Sequence, residues 1–201
     1  MIELRSEVRE IIEKYIVMIE NNEWDSFFET IQNDWIPQTV GKVAETLESA
    51  GIFPLSSMTF IPEGYFILSN ISEYNIPKNI TRICYKAFYA SDIERIHIPS
   101  NVFDIGQYAF EGCDFLTTFI SDEGLEYLSD AVFYSCDELI DVILPKSLMV
   151  LGHNVFNSCD KLTEIKYRGT VEDWKNIKNH EFINEGSYIS KIVCNDGVIN
   201  L

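Results

Sequence analysis

The sequence predicts an α+β protein: a small α-helical N-terminal domain over residues 1–55, then a repeat solenoid over residues 56–201 that ends in a cap. Three observations lead there. Apolar residues recur at helical spacing over the first fifty positions. The phenylalanines Phe88, Phe110, Phe133 and Phe156 then stand 22, 23 and 23 residues apart. A fixed period of this size marks stacked coils. Finally, a helix-start pattern at Thr170 interrupts the repeat.

The head is read first. Val8, Ile11, Ile12, Tyr15, Ile16 and Ile19 form one apolar stripe, with Glu and Lys between them. Trp24, Phe27, Phe28 and Ile31 form a second, at i, i+3, i+4 and i+7. Val40, Val43 and Leu47 give a shorter third helix, and Gly51 suits its C-terminal cap. The expectation is a helical cap packed on the first coils of the solenoid. A partner-binding helix is the sharper alternative.

The repeating unit opens with Ile-Pro or Leu-Pro at Ile76, Ile98 and Leu144. It passes through Ile83, Ile105, Leu128 and Leu151, then Ala or Val, then Phe, then Ser or Cys followed by Asp. Repeats are placed at about 61–76, 76–98, 98–121, 121–144 and 144–167, with the cap over 168–201. Ile61-Pro62 is read as the start of a shortened unit that joins the next at Ile76. One coil of about 23 residues cannot bury both its faces; stacked coils bury Phe on Phe and Leu on Leu. Two departures predict local distortion: SDEGLEYL replaces the expected Ile-Pro in the third unit, and the first unit is one residue short after Asp92.

The units IPSNVFDIGQYAFEGCDFLTTF and LPKSLMVLGHNVFNSCDKLTEI resemble the BspA-type (Treponema pallidum-type) class of leucine-rich repeats. YRGTVEDWKNI followed by SKIVCNDGVI resembles the terminal segment of such proteins. The likeness covers roughly residues 60–199. It implies a leucine-rich-repeat solenoid that binds other proteins. The helical head is similar to heads on short repeat proteins encoded by bacteria and their phages.

Each chemically suggestive column has a plain structural reading. Cys113, Cys136 and Cys159 share one position, which Ser91 fills in the first unit. A position that accepts Ser or Cys wants a small side chain, so a buried spine is expected over redox or metal chemistry. The five cysteines include no C-x-x-C pair, which argues against a disulfide framework and a zinc site. Asp92, Asp114, Asp137 and Asp160 form a second column. One carboxylate per coil is too few oxygens for calcium, so these are expected to cap turns. Thr170 to Asp173 reads as a capping box, and Trp174 is expected to plug the open end of the solenoid. No G-x-S-x-G elbow or phosphate-binding glycine loop is present. No enzyme activity, cofactor or metal is therefore expected.

The closing strand of each unit sets out the exposed positions. In Leu139-Ile140-Asp141-Val142-Ile143-Leu144, Val142 and Leu144 point inward, so Asp141 and Ile143 point outward. This register gives two outward columns. One is Glu73, Arg95, Thr118, Asp141, Glu164 and Lys191; the other is Asn75, His97, Ile120, Ile143, Lys166 and Val193. The central isoleucine pair, ringed by polar groups, has the anatomy of a protein-binding patch. Arg95, His97, Thr118, Ile120, Asp141, Ile143, Glu164 and Lys166 are the candidate contact residues.

The formal net charge of −17 disfavours nucleic acid and anionic membranes and favours a basic protein partner. No apolar run is long enough for a transmembrane helix, and Glu3, Glu7 and Glu10 stand where a signal peptide would be basic or apolar. The expectation is a cytoplasmic, non-enzymatic protein–protein interaction module. Its narrower form is a phage or mobile-element inhibitor of a host protein, acting in the host-cell cytoplasm. The alternatives are an extracellular adhesin, an acidic DNA mimic and a hydrolase with a site assembled across coils.

Overall fold

A computed structural model describes residues 58–201. The expected helical head over 1–55 lies outside the described residues. The described part is a β-solenoid of about six turns, built on two sheets. The first contains the two-residue strands β1 (Phe60–Ile61), β2 (Arg82–Ile83), β4 (Asp104–Ile105), β6 (Tyr127–Leu128) and β8 (Val150–Leu151), all parallel and side by side. The second contains the four-residue strands β3 (Arg95–Ile98), β5 (Thr118–Ser121), β7 (Asp141–Leu144), β9 (Glu164–Tyr167) and β10 (Lys191–Cys194), with β11 (Gly197–Asn200) antiparallel on its last edge. Helix among the described residues is confined to α1 (Val171–Lys175) and one 3-10 turn (His180–Phe182).

The core is a set of columns running along the solenoid axis. Ile61, Ile83, Ile105, Leu128 and Leu151 pair in register on the short-strand side, and all are buried. Ile96, Phe119 and Val142 do the same on the long-strand side. Between the sheets the phenylalanines stack. Phe66–Phe88, Phe88–Phe110, Phe110–Phe133 and Phe133–Phe156 have ring centroids 4.8, 4.9, 5.5 and 5.3 Å apart, tilted by 22°, 9°, 12° and 5°.

The backbone holds that ladder through an alternating pattern. The amide of Phe88 donates to the carbonyl of Ala109 in the next coil at 2.7 Å, while its neighbours Ala87 and Tyr89 donate back to Cys84 and Lys86 in their own coil. The same alternation recurs around Phe66 and Phe110. Every second residue is thus pinned between coils, and the rest close tight turns. The turns require left-handed backbone at two positions per coil: Gly64, Lys86, Tyr108, Ala131 and Asn154 in one column, and Leu68, Ala90, Gly112, Ser135 and Ser158 in the other.

The structure corrects the phase of the first unit. Ile61 pairs with Ile83, so Ile61-Pro62 belongs to the short-strand sheet and does not correspond to Ile76-Pro77. Phe66, missed in the sequence, begins the phenylalanine ladder 22 residues before Phe88. An Ile-Pro pair occurs at two different phases here, and the aromatic spacing is the more faithful ruler.

The expected distortion of the third unit is small. Ser121 pairs beside Ile98 and is fully buried. The chain then turns through Gly124 at φ 124°, where a Cβ would strike the carbonyl of Ser100. Only glycine suits that backbone.

The C-terminal end is closed twice. Thr170 and Asp173 form the capping box: the Asp173 amide donates to Thr170 Oγ1 at 3.1 Å, and the Thr170 amide donates to Asp173 Oδ2 at 2.9 Å. This aims Trp174 into the core, buried with its ring 5.2 Å from Tyr167. Residues 177–179 then cover the free edge of β8. Lys178 exchanges backbone bonds with Met149 and Leu151, and Asn179 Nδ2 donates to the Leu151 carbonyl at 2.9 Å. Covered edges prevent further strand pairing.

Candidate functional site

The long strands alternate buried and outward residues, as in Arg95-Ile96-His97-Ile98. Their pairing aligns the outward residues across coils. Arg95 lies beside Thr118, and Thr118 beside Asp141. Glu164 lies beside Lys191. In the second column His97 lies beside Ile120, Ile120 beside Ile143, Ile143 beside Lys166, and Lys166 beside Val193. Arg95, His97 and Lys166 are exposed; Thr118, Ile120, Asp141, Ile143 and Glu164 are half-buried.

Charged groups frame the isoleucine pair. Lys166 Nζ donates to Asp141 Oδ1 at 2.8 Å, and this bond, with the Asp141 charge, holds the lysine above its ordinary range. Lys191 Nζ lies 2.7 Å from Glu164 Oε2. His97 Nε2 lies 3.1 Å from Asp122 Oδ1, and Arg168 Nη1 lies 3.8 Å from that same oxygen. Each pair is about half exposed, so it organises the surface more than it stabilises the fold.

Three members of this face escaped the sequence reading. Asp122 stands where the neighbouring coils have Pro99 and Pro145, and it joins His97 to Arg168. The break in the Ile-Pro pattern was its signal. Arg168 was hidden because its position departs from Pro145 in the same way. Val198 is 53% exposed and sits beside Val193 because β11 folds back antiparallel. A parallel repeat register cannot foresee a hairpin at its end.

The remaining columns lie away from this face. Cys113, Cys136 and Cys159 are free, buried thiols. Each donates to a backbone carbonyl in the preceding coil: Phe88 at 3.1 Å, Phe110 at 3.0 Å and Phe133 at 3.0 Å. Burial pushes the Cys159 thiol up to about 12 and the Cys136 thiol well above the ordinary range. Such thiols are neither nucleophiles nor metal ligands at neutral pH.

The aspartate column departs from expectation. None of the Asp92, Asp114, Asp137 and Asp160 carboxylates accepts a hydrogen bond from a described residue, so they do not cap turns. The turns close instead through backbone bonds such as Cys113 N to Phe110 O and Cys136 N to Phe133 O. Asp114, Asp137 and Asp160 face solvent, and Asp137 is held above the usual carboxylate range by burial and by the charges of Asp160, Asp114 and Glu138. Among the described residues no group of His, Cys, Asp and Glu could hold a metal ion.

A run of short coils with one outward strand face and an aromatic spine is the architecture of a leucine-rich-repeat solenoid. Residues 54–199 match the BspA type leucine rich repeat region, in 6 copies. The chain belongs to the BspA-type leucine-rich repeat family. Among solved structures it is similar to the pneumococcal vaccine antigen PcpA, with a TM-score of 0.51, 22% identity, and 72% of this chain and 33% of that one covered. It is also similar to a leucine-rich repeat protein from Eubacterium ventriosum, with a TM-score of 0.49, 25% identity, and 69% and 39% covered. The chain therefore spans about a third of the length of PcpA. No curated protein matches it in sequence.

Proposed function

We propose that this chain is a non-enzymatic protein-binding module and that a protein partner docks on the outward face of the long-strand sheet. The observation that carries this reading is the Ile120–Ile143 pair, aligned in register and framed by the Lys166–Asp141 and His97–Asp122 ion pairs. An apolar centre with a charged rim is how protein interfaces combine affinity with orientation. Stacked coils fix these side chains before binding, so little ordering entropy is lost. The acidic charge favours a basic partner. Inhibition of a host protein by occupying its surface is the specific form of this role that the reading favours.

The experiment is affinity capture with the tagged protein from a bacterial lysate, beside an Ile120→Lys, Ile143→Lys double variant. A stoichiometric partner captured by the parent and lost by the variant supports the proposal. Equal capture by both places the contact elsewhere and overturns the site.

A further inference from the structure

The short-strand side of the solenoid carries a depression of about 480 Å3, lined in part by Phe103, Asp104, Gln107, Tyr127, Asp130 and Asn179. The repeat itself shapes it. After the buried Leu128 and Leu151 stand Ser129 and Gly152, and a Cβ on Gly152 would strike the backbone of Ser129 and Asp130. The floor therefore stays bare, while Tyr127 and Val150 on one side and Asp130 on the other stand above it. The volume lies in the range of about 300–1,000 Å3 typical of ligand sites.

The lining has a definite chemical bias. Its only charged side chains are the carboxylates of Asp104 and Asp130. Asp104 is buried; its Oδ2 accepts from Arg82 Nε at 2.6 Å, and its other oxygen accepts nothing from a described residue. Asp130 Oδ1 accepts from the His153 amide at 2.8 Å, which leaves its second oxygen open in the same way. Gln107 makes no side-chain hydrogen bond with a described residue. Above these acceptors, Phe103 and Tyr127 expose ring surface. Unfilled acceptors, the charge of Asp130 (that of Asp104 is met by Arg82) and open aromatic faces call for a flat, cationic group with several donors. Guanidinium has that chemistry: five N–H donors in a plane that also stacks on rings. Arg82 already shows such a contact, with its guanidinium on Asp104.

We propose that this depression binds an arginine side chain presented by a basic protein or peptide. The site lies on the short-strand sheet and does not depend on the long-strand face. A partner that reached both would gain two anchors.

The probe is the blocked tripeptide acetyl-Gly-Arg-Gly-amide, titrated into the whole isotope-labelled protein and followed by amide chemical shifts. The same peptide with neutral citrulline in place of arginine is the control. Saturable shifts at Gln107, Ser129 and Gly152 are expected with arginine only. They should weaken about fivefold in Tyr127→Ala, the loss of one half-exposed cation–π contact, and comparably in Asp130→Asn. Tyr127→Phe keeps the ring and should keep binding, which separates loss of the ring from damage to the fold. Equal binding of the citrulline peptide overturns the proposal, as do shifts scattered over other acidic surfaces and indifferent to both variants. Saturation of the same amides by a neutral oligosaccharide but not by the arginine peptide would reassign the site to sugars. Because no partner is needed, failure here leaves the reading of the long-strand face untouched.

Discussion

The rings of Phe133 and Phe156 lie 5.3 Å apart and 5° from parallel, one coil above the other. Phe133 also receives Phe119 edge-on at 4.7 Å and stacks on Phe110 from the other side. Rings therefore enclose it on three sides at the middle of the spine. Phe133→Ala should cost about 3–5 kcal/mol, the usual range for a buried phenylalanine. Phe133→Leu refills much of the volume and should cost less. Urea denaturation of the two variants checks this. Equal losses would mean that ring stacking, and not filled space, carries the stability.

Ala90 sits at φ 50°, in a column where Gly112 occupies the same turn of the next coil. A left-handed backbone costs an L-residue roughly 1–2 kcal/mol, and glycine gives part of that back through its freer unfolded chain. Ala90→Gly should therefore stabilise by about 0.5–1 kcal/mol. The half-buried methyl is a small loss. A rise in Tm of about 2 °C is expected for a chain of this size, and a fall would show that methyl packing outweighs the backbone strain.

The buried thiols make a chemical prediction. Cys113, Cys136 and Cys159 are enclosed by the spine, and each already donates to a carbonyl. Iodoacetamide at neutral pH should leave all three unmodified in the native protein, while half-buried Cys84 reacts slowly. Peptide mapping after denaturation should then find all three labelled. Labelling of Cys136 before unfolding would show that the coils open locally.

How much of this was legible beforehand depends on what each residue type reports. Phe88, Phe110, Phe133 and Phe156 announced the period because a stacked ring tolerates little else at its position. From that period came the register that sets Thr118 beside Asp141 and Ile120 beside Ile143. Trp174 was legible through the capping box that precedes it. Ile61 misled, because Ile-Pro suits the end of either strand type. The aspartates misled too: a residue common in turns was given the turn's hydrogen bond, which the backbone makes for itself. The depression around Tyr127 was not legible at all. It joins residues from three coils and from Asn179 in the cap, and its shared column, Asp104, Tyr127 and Val150, repeats no residue type that the sequence could flag.

The aspartate column sets the final prediction, on pH. Asp137 is raised above the usual carboxylate range by burial and by Asp160, Asp114 and Glu138. The native state therefore binds this proton more tightly than the unfolded chain does. The stabilising contribution is complete below the ordinary carboxylate pKa and is lost as pH rises through the raised one. At neutral pH the charge is a burden on the fold. Asp137→Asn should accordingly stabilise the protein at pH 7 by about 0.3 kcal/mol once solvent screening is allowed for. The gain should shrink toward zero at pH 3, where both side chains are neutral, and shrink with added salt, which screens exposed charges. Thermal unfolding of the two proteins across pH and sodium chloride measures each trend. A difference that persists unchanged at pH 3 would mean that the amide makes a contact of its own, and that neither burial of the charge nor repulsion along the column is the cause.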